Sequence, residues 1–251
     1  MENKLVFFDV DGTLLFRGEI CEADVQALRR LRALGHEIFI NSGRSRAVLP
    51  KNLLDAVEFD GFVCGSTYVE YHAEVLHRVT VDDGTIRAVC RYAKENKVRM
   101  LLEGEQNAYG VYGGAFHTCV DITDRLDAYL EEPSRMQVTK ITFDRDLATE
   151  IAENFSGVRV INFGGYSEAI VRGYDKAFGM RLLGERLGVT RENIVAFGDS
   201  VNDTEMLAYA GKSVIMHSAP AALDRYATVR VDKDFGGVAL GIERIFFGEN
   251  K

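Results

Sequence analysis

Two carboxylates stand one residue apart where an apolar run near the beginning of the sequence ends. The run is Leu5–Phe8, and Asp9 and Asp11 follow it with Val10 between them. Because side chains alternate along an extended chain, both carboxylates would leave the strand on the same side. Two acids so close repel each other, and the pattern therefore predicts a bound cation or a shared proton. A plain Asp-rich β-turn is the alternative for an isolated Asp-x-Asp-Gly segment.

The ligands that this segment offers are all oxygens. Mg²⁺ prefers such a set, made of one or two carboxylates, a carbonyl, waters and a phosphate oxygen. The carbonyl of Val10 lies between the two acids, Gly12 allows a sharp turn, and Thr13 can hydrogen-bond that turn. The segment thus indicates a magnesium site at the end of a buried strand.

Three further polar groups lie at the ends of predicted strands or the starts of predicted helices. They are Asn41-Ser42-Gly43-Arg44, Lys176 and Gly198-Asp199-Ser200-Val201-Asn202-Asp203. A serine hydroxyl and a glycine N–H at the start of a helix suit phosphate oxygens. Ser42 alone is more often a helix cap, and Lys176 alone is more often a surface charge. Ser200 and Asp203 would equally form a capping box.

A parallel sheet is needed to bring these groups to one edge. Apolar runs predict strands at 5–8, 36–40, 60–64, 194–197 and 213–216, and helical spacing predicts helices at 22–34, 47–57, 175–187, 204–210 and 237–247. This alternation predicts an α/β fold with a doubly wound, Rossmann-like parallel sheet. Ligands of such sheets bind at the carboxyl ends of the strands, where the polar groups lie.

The stretch between residues 81 and 173 has a different pattern. Short strands and helices mix irregularly there, which predicts an α+β module with an antiparallel sheet, inserted into the first domain. The predicted domains are 1–80 with 174–251, and 81–173. Within the insert, residues 104–114 with Tyr109, Tyr112, Phe116 and His117 form either a candidate specificity surface or an ordinary long hairpin.

Composition limits the class of protein. The 251 residues are 47% hydrophobic, enough for a real core, and the formal net charge is -8. An acidic chain lacks the basic face that a nucleic acid or an anionic membrane requires. The four cysteines form no Cys-x-x-Cys pair and predict reduced thiols. With no signal peptide and no apolar run of roughly 20 residues, the sequence predicts a soluble, cytoplasmic protein of unspecified oligomeric state.

These segments together resemble the haloacid dehalogenase superfamily of phosphohydrolases, and within it the Cof-type group with a large α/β cap. The resemblance covers nearly the whole chain and is carried by Asp9-Val10-Asp11-Gly12-Thr13-Leu14, Asn41-Ser42-Gly43-Arg44, Lys176 and Gly198-Asp199-Ser200-Val201-Asn202-Asp203, in this order. Two loops depart from the group. Cys64-Gly65-Ser66 stands where Asn-Gly-Ala is usual, and His217-Ser218-Ala219 where Gly-Asn-Ala is common. Substrate contacts from these two loops are therefore not carried over.

The resemblance implies a role for each matching residue. Asp9 would attack phosphorus and form an aspartyl-phosphate, and Asp11 would donate and later accept the proton. Lys176 would hold Asp9 and the transferring oxygens. The implied phosphate ligands are Ser42, Gly43, Arg44 and Asn202, and the implied Mg²⁺ ligands are Asp9, the Val10 carbonyl, Asp11, Asp199 and Asp203. The implied activity is Mg²⁺-dependent hydrolysis of a small phosphorylated metabolite, with sugar phosphates as the expected substrates.

Two other functions remain open from the sequence. A phosphomutase of the same superfamily would return the phosphoryl group to a sugar hydroxyl, and isomerised sugar phosphate would identify it. A non-catalytic phosphate or metal sensor would keep the aspartyl-phosphate as a signal, although Asp11 would then have no task. A serine hydrolase and an ATPase are disfavoured, because residues 165–169 only approximate a nucleophile elbow and no Gly-x-x-x-x-Gly-Lys loop occurs.

Overall fold

The computed structural model describes residues 3–113 and 119–248, except for the side chains at positions 150 and 152. The strands are β1 (Leu5–Phe8), β2 (Leu15–Phe16), β3 (Glu19–Ile20), β4 (Glu37–Ser42), β5 (Gly61–Cys64), β6 (Tyr68–Tyr71), β7 (Glu74–Arg78), β8 (Met100–Glu103), β9 (Ala108–Val111), β10 (Val120–Asp121), β11 (Lys140–Phe143), β12 (Val158–Asn162), β13 (Ser167–Val171), β14 (Ile194–Gly198), β15 (Lys212–Ile215) and β16 (Val229–Arg230). The α-helices are α1 (Glu22–Ala33), α2 (Lys51–Ala56), α3 (Asp83–Asn96), α4 (Leu126–Tyr129), α5 (Thr149–Ala152), α6 (Lys176–Leu187), α7 (Thr204–Tyr209) and α8 (Gly237–Ile242). Short 3₁₀ helices cover Arg46–Val48, Thr123–Arg125, Pro133–Met136, Arg191–Asn193, Val201–Asp203 and Ala221–Tyr226, and α8 continues as a π-helix over Glu243–Phe247.

These elements form two compact units. The first unit runs up to Gly43, from Pro50 to Leu76 and from Asp175 onward, and the second consists of Arg44–Leu49 and His77–Tyr174. The sequence-based ranges placed Arg44–Leu49 in the first domain. In the structure this segment groups with the second unit, where Val48 packs against Leu101 and Ala108. The assignment of the second unit to substrate specificity stays a prediction.

The sheet of the first unit carries the predicted parallel strands. Its order is β16-β15-β14-β1-β4-β5-β6-β7, in which β16 to β5 pair in parallel and β6 runs antiparallel to β5. Phe8 of β1 lies in register with Ile40 on one side and with Phe197 on the other. The predicted doubly wound parallel sheet is confirmed.

The strand β1 lies in the middle of this sheet because all four of its side chains are apolar. Leu5–Phe8 is fully buried, as expected for a central parallel strand that is covered on both faces. Phe7 stacks on Phe39 with ring centroids 4.8 Å apart, and Phe8 stacks on Phe197 at 4.6 Å. Such aromatic pairs contribute about 0.5–1.5 kcal/mol beyond their area burial. The end of β1 is therefore held firmly in place.

The spacing of Val25, Leu28, Leu31 and Leu34 predicts one apolar face for the helix α1, and the structure shows most of it. Val25, Leu28 and Leu31 are buried. Leu34, predicted as the next residue of the same face, lies beyond the last helical residue and is 45% exposed. Gly35 follows with a φ of 85°, the left-handed conformation that commonly ends a helix.

The predicted helix 47–57 is wrong in its first half. A 3₁₀ helix covers Arg46–Val48, Leu49 is extended, and α2 begins only after Pro50. Proline disfavours the α conformation of the residue before it, so the helical run breaks at Leu49. The sequence also predicts a helix over 147–155, and the structure limits it to α5.

The sheet of the second unit has the order β10-β9-β8-β11-β13-β12 and is antiparallel except for the β10–β9 pair. The helix α3 packs on the core of this unit through Ile86, Val89 and Ala93. It begins at a side-chain cap, because the Asp82 carboxylate accepts hydrogen bonds from the Thr85 N–H at 2.9 Å and the Thr85 hydroxyl at 2.7 Å. The α+β prediction for this region is confirmed.

Four strands of two residues each had no counterpart in the sequence-based prediction. The strands β2 and β3 form a hairpin around Arg17 and Gly18, which both have positive φ. The strand β10 pairs with β9, and β16 extends the larger sheet beside β15. Two residues carry too little periodicity to be recognised alone, so only their pairing defines these strands.

The candidate specificity surface falls on the hairpin formed by β8 and β9. The Gly104 N–H donates to the Asn107 carbonyl at 3.0 Å in its turn. Tyr109 and Tyr129 lie 5.6 Å apart between ring centroids and line a cavity of about 620 Å³ in the second unit. Residues 114–118, which include Phe116 and His117, lie outside the described residues. The specificity role of this stretch stays a prediction.

Two findings bear on the predicted location. Cys21, Cys64, Cys90 and Cys119 are all free thiols. Among the helices of the described ranges, none combines the length and the apolar character that crossing a bilayer requires. The cytoplasmic location stays a prediction.

Candidate active site

Three strand ends of the first unit bring the predicted residues together. Asp9 follows β1, and its backbone N–H donates to the Phe197 carbonyl at 3.0 Å. The strand β14 ends at Gly198, so Asp199 comes directly after it, and β4 ends at Ser42. Because these strands are parallel neighbours, their carboxyl ends lie at one edge of the sheet.

The first residue of α6, Lys176, lies between two carboxylates. Its Nζ is 2.6 Å from Asp9 Oδ1 and 2.6 Å from Asp203 Oδ1, and all three side chains are buried. Burial alone disfavours the ammonium, but the charges of Asp203 and Asp9 outweigh it and raise the pKa of Lys176. Burial raises the pKa of Asp9, although Lys176 opposes this effect. The lysine is therefore a fixed positive charge beside a carboxyl group that resists ionisation.

Asp203 organises the loop that follows β14. Its Oδ2 accepts from the N–H groups of Asp199 and Ser200, each at 3.0 Å, and from the Ser200 hydroxyl at 3.3 Å. Ser200 and Asp203 form the capping box of the 3₁₀ helix Val201–Asp203, so this predicted alternative is confirmed. A Cβ on Gly198 would lie 2.8 Å from the Asp203 side chain. The loop therefore closes tightly on a carboxylate whose two oxygens both have protein partners.

Asp199 lies against the turn that follows β1. Gly12 adopts a φ of 92°, and a Cβ at this position would collide with the Asp199 carboxylate. The Thr13 hydroxyl, expected to bond its own turn, donates instead to Asp199 Oδ1 at 2.9 Å. Burial, followed by the charge of Asp203, raises the pKa of Asp199 to about 6. A nearby cation would therefore favour the ionised form of this carboxyl group.

Three carboxylates of this edge fit a metal ion. One oxygen each of Asp9, Asp199 and Asp203 lies within 4.8 Å of the other two. An all-oxygen set suits a hard divalent cation such as Mg²⁺. The raised pKa values of Asp9 and Asp199 also show that a compensating positive charge would be favourable here. The donor set and its electrostatics therefore agree with a divalent cation.

Two residues predicted as metal ligands lie outside this cluster. Asp11 is exposed and is not among the three clustered carboxylates found in the described residues. The Val10 carbonyl accepts from the Leu15 N–H at 2.8 Å and from the Thr13 N–H at 3.4 Å, so the turn uses this oxygen. A carbonyl oxygen has two lone pairs, so these bonds do not decide whether it also binds a metal, and the metal roles of Val10 and Asp11 stay predictions.

Three of the predicted phosphate ligands belong to the first unit. Ser42 is buried at the end of β4, Gly43 follows it, and Asn202 Nδ2 lies 3.3 Å from the point that a Cβ on Gly43 would occupy. Arg44 belongs to the second unit, where its Nη1 donates to the Val48 carbonyl at 3.1 Å. Gly43 and Asn202 are thus neighbours, whereas Arg44 is bonded within its own loop.

Two residues of this site were not assigned a functional contact from the sequence. The Thr13 hydroxyl holds Asp199, and Asn41 Nδ2 donates to the Lys176 carbonyl at 2.7 Å. A polar residue closing an apolar strand was a visible signal at Asn41. No pattern indicated its partner, which lies 135 residues further along the chain.

The candidate site combines acidic residues at the ends of parallel strands with a buried lysine. Comparison with known proteins then gives the family. The model of one protein family, the haloacid dehalogenase-like hydrolases, matches residues 6–242. The chain belongs to this family, and the resemblance of its motifs is confirmed.

Similar proteins span nearly the whole chain. The putative phosphatase YkrA of Bacillus subtilis is 26% identical over 258 residues, which cover 98% of this chain and 98% of YkrA. An HMP-PP phosphatase of Citrobacter koseri is 27% identical over 240 residues, which cover 86% of this chain and 85% of that protein. The crystal structure of a hypothetical protein from Geobacillus kaustophilus matches with a TM-score of 0.84 at 25% identity and covers 97% of this chain and 99% of its own. The chain is thus an enzyme of a hydrolase family, and YkrA and the Citrobacter koseri protein are both named as phosphatases.

Proposed function

We propose that this protein is a Mg²⁺-dependent phosphatase that hydrolyses small phosphomonoesters through an aspartyl-phosphate on Asp9. One observation carries the proposal: the Lys176 ammonium lies buried between Asp9 and Asp203, with Asp199 in the same cluster. Phosphoryl transfer needs positive charge around the moving oxygens and a nucleophile held in line. The Lys176 ammonium supports the first requirement, and its hydrogen bond to Asp9, which holds that carboxylate in place, supports the second.

Asp9 is the proposed nucleophile. Its Oδ1 accepts from Lys176, so we assign attack on phosphorus to Oδ2. The attack forms an acyl phosphate while the bond from phosphorus to the leaving-group oxygen breaks. Water then cleaves the acyl phosphate, which releases inorganic phosphate and restores the carboxylate. Because burial raises the pKa of Asp9, its ionisation depends on the positive charges around it.

Asp9 and Asp199 are the proposed Mg²⁺ ligands, and Asp203 supports them. When bound, the ion would draw charge from the phosphoryl oxygens and favour the ionised forms of both carboxylates. The Asp203 carboxylate accepts hydrogen bonds from the Asp199 backbone N–H and the Lys176 ammonium. The Thr13 hydroxyl donates to the Asp199 carboxylate. These contacts fix the donor oxygens before any ion binds.

Asp11 is the proposed general acid and base. It lies two residues after Asp9 and is exposed, so it can exchange protons with solvent. It would protonate the leaving-group oxygen in the first step and take a proton from the attacking water in the second. The first step therefore needs Asp9 ionised and Asp11 protonated.

The substrate phosphate is assigned to Ser42, Gly43 and Asn202, with Arg44 as a further cationic contact. A hydroxyl and a backbone N–H at the end of a parallel strand suit phosphate oxygens. The relative named as an HMP-PP phosphatase supports a small phosphorylated metabolite as substrate. Sugar phosphates are the class that we propose first.

Release of inorganic phosphate from a panel of substrates tests this proposal. The panel contains sugar phosphates, nucleotides, flavin mononucleotide and pyridoxal phosphate, each with Mg²⁺ and with a chelator. We expect turnover of at least one sugar phosphate, and a fall of about tenfold or more when the chelator removes the ion. Asp9→Asn should fold and lose about 10³-fold or more in kcat. Asp24→Asn, a matched change of a buried aspartate in the same unit, should keep its turnover.

Other outcomes would identify the alternatives. Isomerised sugar phosphate without free phosphate would point to a phosphomutase. A stable phosphoryl group on Asp9 without turnover would point to a sensor. Normal hydrolysis by Asp9→Asn would refute the assignment of the nucleophile.

A further inference from the structure

Asn41 joins two parts of the chain that meet at the candidate site. Its Nδ2 donates to the backbone carbonyl of Lys176 at 2.7 Å, and its side chain is fully buried. Asn41 directly precedes Ser42 at the end of β4, and Lys176 is the first residue of α6. One side chain therefore ties the end of a strand to the start of the helix that carries the buried ammonium.

The start of α6 needs support from elsewhere in the fold. Asp175 occupies the N-cap position, but its side chain makes no capping hydrogen bond. The Asp175 carboxylate instead pairs with Arg181 at 3.0 Å. The chain also returns to the first unit at Asp175, after the segment His77–Tyr174 of the second unit. The position of Lys176 must therefore be set at the point where the chain re-enters the first unit.

Packing on the next turn of α6 does not set this position by itself. A Cβ on Gly179 would collide with the Val63 side chain, so the helix lies directly on β5 there. Apolar contacts of this kind are not directional and tolerate small shifts along the helix axis. A hydrogen bond constrains both distance and angle. The bond from Asn41 is therefore a directional contact that constrains the backbone of the first turn along and around the helix axis.

The oxygen of the same amide group is unfavourable to the stability of the fold. Asn41 Oδ1 is buried, and none of the described residues offers it a hydrogen-bond partner. A buried acceptor without a partner is unfavourable to stability. A leucine has a similar size and would remove both the unpaired acceptor and the donor, so its two effects on stability oppose each other. The useful part of the side chain is its donor.

We propose that Asn41 is a positioning residue that holds the Lys176 ammonium within hydrogen-bonding distance of Asp9 and Asp203. The inference rests on the proposed function, because it assigns the purpose of the contact to phosphoryl transfer. Asn41 does not touch the reacting groups and acts through the Lys176 backbone. A small shift of α6 would lengthen both contacts of the ammonium at once.

Kinetics of two Asn41 variants test the proposal with p-nitrophenyl phosphate and Mg²⁺. In Asn41→Leu the donor and the unpaired acceptor are both lost. We expect kcat to fall about tenfold or more, KM to stay within about twofold, and the unfolding midpoint to stay unchanged or rise. In Asn41→Asp the shape is kept but an ionised carboxylate cannot donate, so kcat should fall at least as far.

A matched control comes from the second unit. Asn162 Nδ2 donates to the Leu147 carbonyl at 2.8 Å, and its Oδ1 accepts from the Leu147 N–H at 3.0 Å. Asn162→Leu therefore removes the same kind of side-chain-to-backbone contact away from Lys176. It should lower the unfolding midpoint and leave kcat unchanged, the reverse of the result expected for Asn41→Leu.

Crystal structures of the wild type and Asn41→Leu give a readout that does not depend on activity. We expect Lys176 Nζ to move beyond about 3.5 Å from Asp9 or Asp203 in the variant. An unmoved ammonium, or a kcat of Asn41→Leu within twofold of the wild type, would overturn the positioning role. If the wild type releases no phosphate from any substrate, the proposed function fails, and the two structures still decide the role of Asn41.

Discussion

Each unit of the protein holds a buried lysine between two carboxylates, and the two clusters differ in their surroundings. Lys176 Nζ lies 2.6 Å from both Asp9 and Asp203, at the ends of parallel strands. Lys140 Nζ lies 2.8 Å from Glu168 and 3.5 Å from Glu103, in the middle of an antiparallel sheet. Burial disfavours both ammonium groups, and in both cases the neighbouring acids outweigh it and raise the lysine pKa.

The two clusters differ in the other groups that surround their carboxylates. Glu103 Oε1 also accepts from the Thr142 hydroxyl at 2.6 Å, and Oε2 accepts from the Ser45 N–H at 3.5 Å. In the first unit a third carboxylate, Asp199, joins the cluster, and the pKa values of Asp9 and Asp199 are raised. A lysine between two acids is therefore not enough to mark an active site. The surplus carboxylate and its place at the ends of parallel strands give the first cluster its capacity for chemistry.

The largest expected difference between the two clusters is in turnover. Lys176→Met should lower kcat by about 10³-fold, because the positive charge beside the attacking carboxylate is lost. Lys140→Met should leave kcat per folded molecule within about twofold of the wild type, since we assign that lysine a structural role. Steady-state phosphate release, corrected for the folded fraction, measures both.

Folding of the Lys140 variant needs its own check. Removing one partner of a buried ion cluster costs about 3–5 kcal/mol and can unfold a marginal protein. Glu168→Gln is the milder change, because the amide oxygen can still accept from Lys140. A 10³-fold loss of kcat in folded Glu168→Gln would remove the distinction between the two clusters.

Asp24 provides a third case, a buried acid beside which the described part of the chain places no lysine at bonding distance. Asp24 on α1 is 1% exposed, and its Oδ1 accepts from the Ala239 N–H at 2.7 Å. Burial raises the pKa of Asp24 to about 6, against about 3.9 in an unfolded chain. The native state therefore binds the proton more tightly, and this contribution to stability, full below pH 4, is lost as the pH rises through 6.

The pH dependence of unfolding measures this contribution. The free energy of unfolding of the wild type should fall by about 2 kcal/mol relative to Asp24→Asn between pH 4 and pH 7. Urea titrations at several pH values in that window give the difference. Parallel curves for the two proteins would show that Asp24 titrates normally.

The smallest expected effect is on the free energy of unfolding, which should change in opposite directions in two variants. Asp9→Asn should raise the free energy of unfolding by about 1 kcal/mol without metal, because a carboxyl group that resists ionisation is replaced by a neutral acceptor. Glu103→Gln should lower it by about 1–2 kcal/mol, because its amide nitrogen would face a donor. Urea unfolding at pH 7 with a chelator compares them. A shift of the same sign in both variants would mean that the two clusters make similar contributions to stability.

The strands that carry the site could be predicted because their composition is extreme. Runs such as Leu5–Phe8 and Ile194–Gly198 are apolar and end in acid, so both the strand and its functional end are visible in one chain. The break in the predicted helix 47–57 was also visible, because Pro50 lies inside it. The restriction that proline places on the residue before it is a stronger signal than apolar spacing.

Other features depend on partners far away in the sequence. The contact of Asn41 with Lys176 spans 135 residues, and that of Thr13 with Asp199 spans 186. Periodicity is a local property and carries no information on such pairs. The grouping of Arg44–Leu49 with the second unit is similar, because only the packing of Val48 reveals it.

The central place of β1 has a consequence for biosynthesis. This strand is made before both of its neighbours: β4 follows soon after it, but β14 begins only at Ile194. Until then the nascent polypeptide has a wholly apolar segment with one hydrogen-bonding side open, the kind of surface through which chains stick to each other. Shortening the gene from its 3′ end would thus cause precipitation by opening the middle of the sheet, even where every residue up to Lys176 is retained.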